Sequence, residues 1–265
     1  MKTATVIDKA KAENHAAFIG YLMAGYPSVD DSITAAKTLV DAGADIIELG
    51  FPYSDPTMDG RAIQRAAQGA LNRGVHRSHV FQIVEELAKT GAAILVMTYY
   101  NPVFHYGVDN FARDLQNAGG AGLITPDLIP EEAADWIAAA DAKDLEHIFL
   151  VAPSSSQERL EITTKASKGF VYAASRMGIT GLRDSIGIHS AELVARTRAA
   201  GAERVCVGVG VSNAQQAQEV GQYADGVIVG TALVKPLVEN PDPKVGIAKM
   251  REIAVDIVNG AHSAR

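Results

Sequence analysis

One cysteine, Cys206, is all that the 265 residues contain, so the chain can hold neither an internal disulfide nor a cysteine-rich metal site. That usage suits a reducing cytoplasm and leaves Cys206 as a small core residue. Long apolar runs are missing as well: stretches such as AAILVM at 92–97 fall far short of the ~20 residues that span a bilayer. The amino-terminal MKTATVIDKAKAENH lacks the continuous apolar segment of a secretory signal and reads as a polar, helical lead-in. Nor is there an excess of positive charge. A net charge of -7 argues against nucleic acid or an anionic membrane as the principal partner, because both attract cationic surfaces. The expectation is a soluble, cytoplasmic protein.

What is present is repetition. Eight short apolar runs begin at Phe18, Ile46, Ile94, Gly122, Ile148, Gly169, Arg204 and Gly226. They are nearly continuous in apolar content rather than alternating, the pattern of parallel strands covered on both faces. Amphipathic segments follow them. In SVDDSITAAKTLVDAGA, Ser28 is placed to cap a helix and Gly43 to stop it; SHVFQIVEELAKTG, PEEAADWIAAADAKD and SNAQQAQEVGQYADG repeat that grammar. Eight such units without a linker or compositional break predict one (β/α)8 barrel domain over residues 1–265, with an open doubly wound sheet as the alternative. Two connections, after strands two and six, are too long for plain crossovers, and barrel enzymes place their chemistry in loops at the carboxyl ends of strands.

The first long connection follows ADIIELGFPYSDPTMDG. Glu48 is expected to close strand two, with Asp55 and Asp59 on the loop beyond it, so that three acids share one mouth of the barrel. A carboxylate at the end of an apolar strand raises its pKa toward the range useful for proton transfer unless it is paired. The competing reading is structural: Glu48 caps a neighbouring helix and the aspartates shape turns. Glycines cluster after strands six, seven and eight, in GITG (178–181), GVGVSN (208–213) and GTAL (230–233). Bare backbone N–H groups there, two sets opening helices, predict a phosphate cradle that includes Gly210, Gly230 and Thr231. Tyr172 in strand six is positioned to point toward Glu48, and Tyr99, Tyr100 and Asn101 are expected at the end of strand three; each could equally pack the core.

Two further absences narrow the chemistry. No lysine ends a predicted strand, which disfavours a Schiff-base aldolase, and the seven histidines show neither HExxH nor a strand-end pair, which weakens a metal mechanism. Acid-base chemistry on a small phosphorylated substrate is what remains.

The motifs ELGFPYSDPTMDG, YYNPVFHYG, PDLIPEEA, SRMGITG and GVGVSN followed by VIVGTALVK occur in the order seen in tryptophan synthase α subunits, and from about Phe18 to Lys235 the chain resembles that family. The resemblance implies retro-aldol cleavage of indole-3-glycerol phosphate to indole and glyceraldehyde 3-phosphate. It implies Glu48 as the catalytic glutamate that shuttles protons and Asp59 as the aspartate facing the indole N–H. It further implies substrate contacts from Tyr21 and Tyr172, to which Tyr99 is added on its own placement as an aromatic wall, phosphate contacts from Gly181, Gly210, Gly230 and Thr231, and a closing loop that carries Thr180. Asp55 and Asp127 resemble acids that link this loop to the partner. That partner is a β subunit carrying pyridoxal phosphate in an α2β2 assembly, while this chain needs no cofactor or metal; a free-standing indole-3-glycerol phosphate lyase is the alternative. Tyr21 and Val209 stand where members often have phenylalanine, and Ile179 replaces a valine; none of these removes a charge or hydroxyl that the chemistry needs.

Overall fold

All eight apolar runs form strands, and side chains of both parities are buried along them. The computed structural model describes residues 1–175 and 183–264, apart from the side chains of 183–188. The strands are β1 (Ala17–Met23), β2 (Ile46–Gly50), β3 (Ala93–Met97), β4 (Gly122–Ile124), β5 (Glu146–Ile148), β6 (Leu150–Val151), β7 (Val171–Ala174), β8 (Val205–Gly208) and β9 (Gly226–Val229). The helices are α1 (Thr3–Ala12), α2 (Val29–Asp41), α3 (Arg61–Asn72), α4 (Arg77–Ala88), α5 (Tyr100–Tyr106), α6 (Val108–Asn117), α7 (Ala134–Ala142), α8 (Gln157–Ala166), α9 (Arg183–Ala199), α10 (Ala214–Gly221), α11 (Thr231–Glu239) and α12 (Pro243–His262).

Every described strand pair is parallel, and the order runs β5-β4-β3-β2-β1-β9-β8-β7-β6. Its two ends, β5 and β6, are one run divided at Phe149: the first half pairs with β4, the second with β7. That single run therefore closes the barrel, and the nine strands are the eight predicted ones. The open-sheet alternative is excluded.

Period-two parity divides the core. Ile19, Ile46, Leu95, Ile124, Ile148, Cys206 and Ile228 fill the interior, whereas Phe18, Ile47, Ile94, Leu123, Val207 and Val227 pack beneath the helices. Cys206 is the small interior residue expected. A Cβ at Gly20 would overlap Leu39, so glycine on β1 is what lets α2 lie close to the sheet. Ser28 caps α2 as predicted, its side chain accepting the Asp31 N–H, and the chain leaves that helix through Gly43 at φ +103°.

The lead-in is indeed helical, and it seals the amino-terminal end of the barrel with Ile7 and Ala10. Lys2 at its N-cap makes no side-chain capping bond; instead the buried Glu146 carboxylate on β5 accepts the Thr3 N–H at 3.0 Å, the Thr3 hydroxyl at 2.7 Å and the Ala4 N–H at 3.1 Å. Glu146 thus satisfies the open N–H groups of α1 from across the fold.

The predicted long loops are partly helical. α3 occupies the middle of the connection after β2, leaving 51–60 as the loop, and α9 begins at Arg183 within the connection after β7. Tyr99, Tyr100 and Asn101 do not end β3, which stops at Met97; Tyr99 precedes α5 and the other two open it.

Candidate functional site

Glu48 sits in the middle of β2 rather than at its end. Leu49 and Gly50 continue the strand because β1 and β3 continue beside it: Leu22 and Met23 pair on one side, Val96 and Met97 on the other. The position keeps the parity of Ile46, so the carboxyl points into the barrel, level with Tyr21 and Leu95. It is 1% exposed, and its Oε2 finds no hydrogen-bond partner among the described residues.

Above it the interior opens into a cavity of about 500 Å³, lined among others by Tyr21, Glu48, Asp59, Tyr172, Gly210, Gly230 and Thr231. Seven of the ten expected site residues therefore meet in one place. Tyr99 lies beside the cavity, its hydroxyl accepting the Met58 N–H at 2.8 Å, one residue from Asp59. Thr180 and Gly181 fall outside the described residues. Asp55 accepts the Ser54 hydroxyl at 2.6 Å and Asp127 accepts the Tyr100 N–H at 2.9 Å. A larger depression of about 850 Å³ outside the β2–α3 loop is lined by residues such as Tyr53, Asp55, Arg61 and Arg65, none of them buried. The barrel mouth, by contrast, encloses the buried Glu48, so the candidate site is there.

Burial, and then the charge of Asp59, push the Glu48 carboxyl up to about 8. Burial raises Asp59 to about 6. Two neighbouring acids thus bracket neutrality, and at pH 7 Glu48 holds its proton while Asp59 is ionised. Burial, reinforced by both acids, drives the phenols of Tyr21 and Tyr172 well above 10, so each is a neutral hydroxyl able to donate. Glycines make room for these rings. A Cβ at Gly50 would overlap the Tyr21 hydroxyl, and one at Gly208 would come within 2.5 Å of the Tyr172 hydroxyl.

Part of the lining is backbone. Helix α11 begins at Thr231 with no side chain capping it, and α3 begins after Gly60, likewise uncapped by a side chain. Both starts line the cavity, so two helix amino-termini present N–H groups and partial positive charge to the same space. The amino-terminus of α10, expected to join them, is occupied: the Asn213 side chain accepts the Gln216 N–H, and Asp256 accepts the Ala214 N–H at 2.8 Å. What the loop before α10 contributes is Gly210, whose φ of +81° only glycine adopts readily.

Some lining residues were not anticipated. Met97 and Ile228 share the inward parity of their strands, a signal readable once Glu48 is set in mid-strand. Ser175 follows β7 directly, and its Oγ accepts the Ser190 hydroxyl at 2.7 Å. Met58, Gly60 and Ile63 come from the loop and helix that deliver Asp59. Among the described residues no helix is long and apolar enough to cross a membrane.

The profile of the tryptophan synthase alpha chain family matches residues 7–261. The chain is 54% identical over 269 aligned residues to the tryptophan synthase alpha chain of Bifidobacterium longum, covering all of this chain and 92% of that one. It is 52% identical to that of Thermobifida fusca, over 97% of this chain and 96% of the other. Among solved structures, Mycobacterium tuberculosis tryptophan synthase superposes with a TM-score of 0.90 at 50% identity, with 98% of each chain covered. The alpha subunit from Legionella pneumophila superposes at 0.89 with 29% identity, again over 98% of each chain. With its fold and nearly its whole length shared in this way, the chain belongs to the tryptophan synthase alpha chain family.

Proposed function

We propose that this subunit cleaves indole-3-glycerol phosphate to indole and glyceraldehyde 3-phosphate by a retro-aldol reaction in the barrel mouth. One observation carries the reading: an unpaired, fully buried carboxyl, Glu48, is held near pKa 8 in a cavity that open helix amino-termini also line. Breaking the bond between indole C3 and the glycerol chain leaves an electron pair on C3, and the ring can take it up only if C3 is protonated first. Glu48 in its acid form delivers that proton. The resulting indoleninium carries positive charge on N1, which the Asp59 carboxylate stabilises at short range. Glu48, now ionised, accepts the glycerol hydroxyl proton as the carbon–carbon bond breaks; its electrons restore the C2=C3 bond and neutralise N1. Glu48 ends protonated, ready for a further turnover.

Tyr172 and Tyr21 supply neutral hydroxyls beside the two acids, and Gly210, Gly230 and Thr231, with the start of α11, hold the phosphate. Tyr99 holds the Asp59 loop, and Thr180 and Gly181 complete the closing side. The relatives named above carry the two-subunit synthase name, which favours a cytoplasmic α2β2 enzyme over a free-standing lyase. In that assembly pyridoxal phosphate belongs to the β subunit, and this chain, one barrel domain over 1–265, brings side chains and backbone alone.

The test is indole release from the purified chain given indole-3-glycerol phosphate. Glu48→Gln should abolish turnover and Asp59→Asn should lower it sharply, each with the fold intact; turnover near wild type in Glu48→Gln would sink the assignment. Gel filtration with and without a β subunit checks the assembly.

A further inference from the structure

At the opposite rim, away from the cavity, two histidines and an aspartate converge. His15 lies in the turn before β1, Asp45 just before β2 and His262 at the end of α12, all half-buried. One ligand atom from each lies within 4.8 Å of the others. His262 Nε2 is 2.9 Å from Asp45 Oδ2, and the two imidazole rings stand 4.3 Å apart.

The hydrogen-bond accounting at this cluster calls for a cation. His15 Nδ1 faces the Ala16 carbonyl at 3.3 Å, while Nε2 faces the Glu13 carboxylate, also at 3.3 Å. A neutral imidazole has one N–H, so it cannot serve two oxygen acceptors. If Nδ1–H donates to the Ala16 carbonyl, the Nε2 lone pair points at Glu13, a repulsive arrangement unless positive charge lies between them. A backbone carbonyl on the far nitrogen is also how metal-bound histidines are usually oriented. Asp45 is held in the same manner: its Oδ2 accepts the Phe18 N–H at 2.7 Å, which fixes the carboxylate plane.

We propose that His15, Asp45 and His262 bind a divalent transition-metal ion of the zinc class, with Glu13 as an exposed fourth donor. Two imidazoles and a carboxylate suit zinc, cobalt and nickel rather than magnesium or calcium, which take oxygen ligands. Tetrahedral zinc with bonds of about 2.0–2.2 Å needs ligand atoms roughly 3.4 Å apart. The His262–Asp45 pair stands at 2.9 Å, and the His15 donor atom lies within 4.8 Å of both, so a small closing of the cluster reaches that spacing. The ion ties the turn after α1, the start of β2 and the end of α12 into one knot. Its place at the amino-terminal rim makes it a structural clasp, separate from the chemistry at the other mouth.

The test uses the full, untagged chain with cobalt(II) as a spectroscopic probe and zinc as competitor. Expected is one cobalt per chain with visible absorption of a tetrahedral or five-coordinate site, displaced by zinc, and a melting temperature raised by zinc and lowered again by a chelator. His15→Gln leaves the Asp45–His262 and Asp45–Phe18 contacts in place, so the fold is kept, yet affinity should fall by at least the roughly 10–100-fold that loss of an outer-shell partner costs. Equal cobalt binding by wild type and His15→Gln, absence of the visible bands, or a melting temperature that responds to acid but not to zinc would each overturn the proposal. The last of these would assign the missing positive charge to a proton.

Discussion

The hydroxyl of Tyr99 accepts the backbone N–H of Met58 at 2.8 Å, and this bond pins the turn that presents Asp59 to the cavity. A residue outside the cavity thereby sets the position of an acid within it. Tyr99→Phe removes the hydroxyl, with its bonds to the Met58 N–H and the Thr57 side chain. A hydrogen bond of this kind contributes about 1 kcal/mol, so kcat/KM for indole formation should fall about fivefold to tenfold while the melting temperature changes little. Steady-state kinetics and calorimetry on one preparation check this, and an unchanged kcat/KM would show that the turn holds itself.

The two perturbed carboxyls predict a bell-shaped pH profile. Asp59 must be ionised and Glu48 protonated in the free enzyme, so kcat/KM should rise through about 6 and fall through about 8. In Asp59→Asn the acid limb disappears from whatever activity remains. A profile flat between pH 5 and 9 would contradict these roles.

Turnover and stability should part company in Glu48→Gln. Loss of a general acid-base group costs about 10²–10⁴ in rate. The folded state of the wild type keeps a proton on Glu48 up to about 8, whereas the unfolded chain releases it near 4.5. Between those values the folded form binds more protons, so its stability falls as pH rises. Below pH 4.5 both forms are protonated and the contribution is whole; above about 8 it is gone. Each pKa unit is worth about 1.4 kcal/mol, so at pH 8 the glutamine variant should be more stable than wild type by about 2 kcal/mol or more, and at pH 4.5 nearly equal. Urea unfolding at the two pH values measures this.

Gly230 and Gly210 should respond differently to alanine. A Cβ at Gly230 meets Tyr21 and Ile63 at ordinary contact distances of 3.5–3.6 Å, so the fold accepts it. Its effect should be a raised KM for the phosphorylated substrate, by about tenfold if one backbone contact worth about 1.4 kcal/mol is lost. Gly210 at φ +81° should instead lose stability on substitution, by about 1 kcal/mol or more. Binding of glycerol phosphate and thermal unfolding, measured on both variants, separate the two effects.

Glu146 offers a test far from the chemistry. Glu146→Ala strips Thr3 and Ala4 of three bonds and leaves buried N–H groups open, at a cost of about 2–4 kcal/mol. Unfolding should shift by that amount, and indole formation below the transition should persist.

Barrel and acids were legible in the sequence because both rest on local pattern: apolar runs at regular spacing, and a carboxyl inside one of them. The strand's length was not. Leu49 and Gly50 belong to β2 because β1 and β3 run on alongside, a fact carried by Met23 and Met97 rather than by neighbours in sequence. The phosphate wall was half readable for a similar reason. GTAL and GVGVSN both look like open helix starts, yet the second is closed by Asn213 within its own motif and by Asp256, 42 residues beyond Ala214, and only the first of these can be read locally. Ser28 needed no such distant information, since a cap and its N–H lie three residues apart.

Tyr21 and Gly50 occupy neighbouring strands, and the ring of one lies where a methyl on the other would stand. Drift at these two sites is therefore coupled and ordered in time: a lineage can place alanine at 50 only after the side chain at 21 has shrunk or turned away. The same holds for Gly208 and Tyr172. Each pair behaves as a two-position lock on the chamber's ceiling, and routes to a larger or smaller indole compartment must pass through the aromatic partner before the glycine.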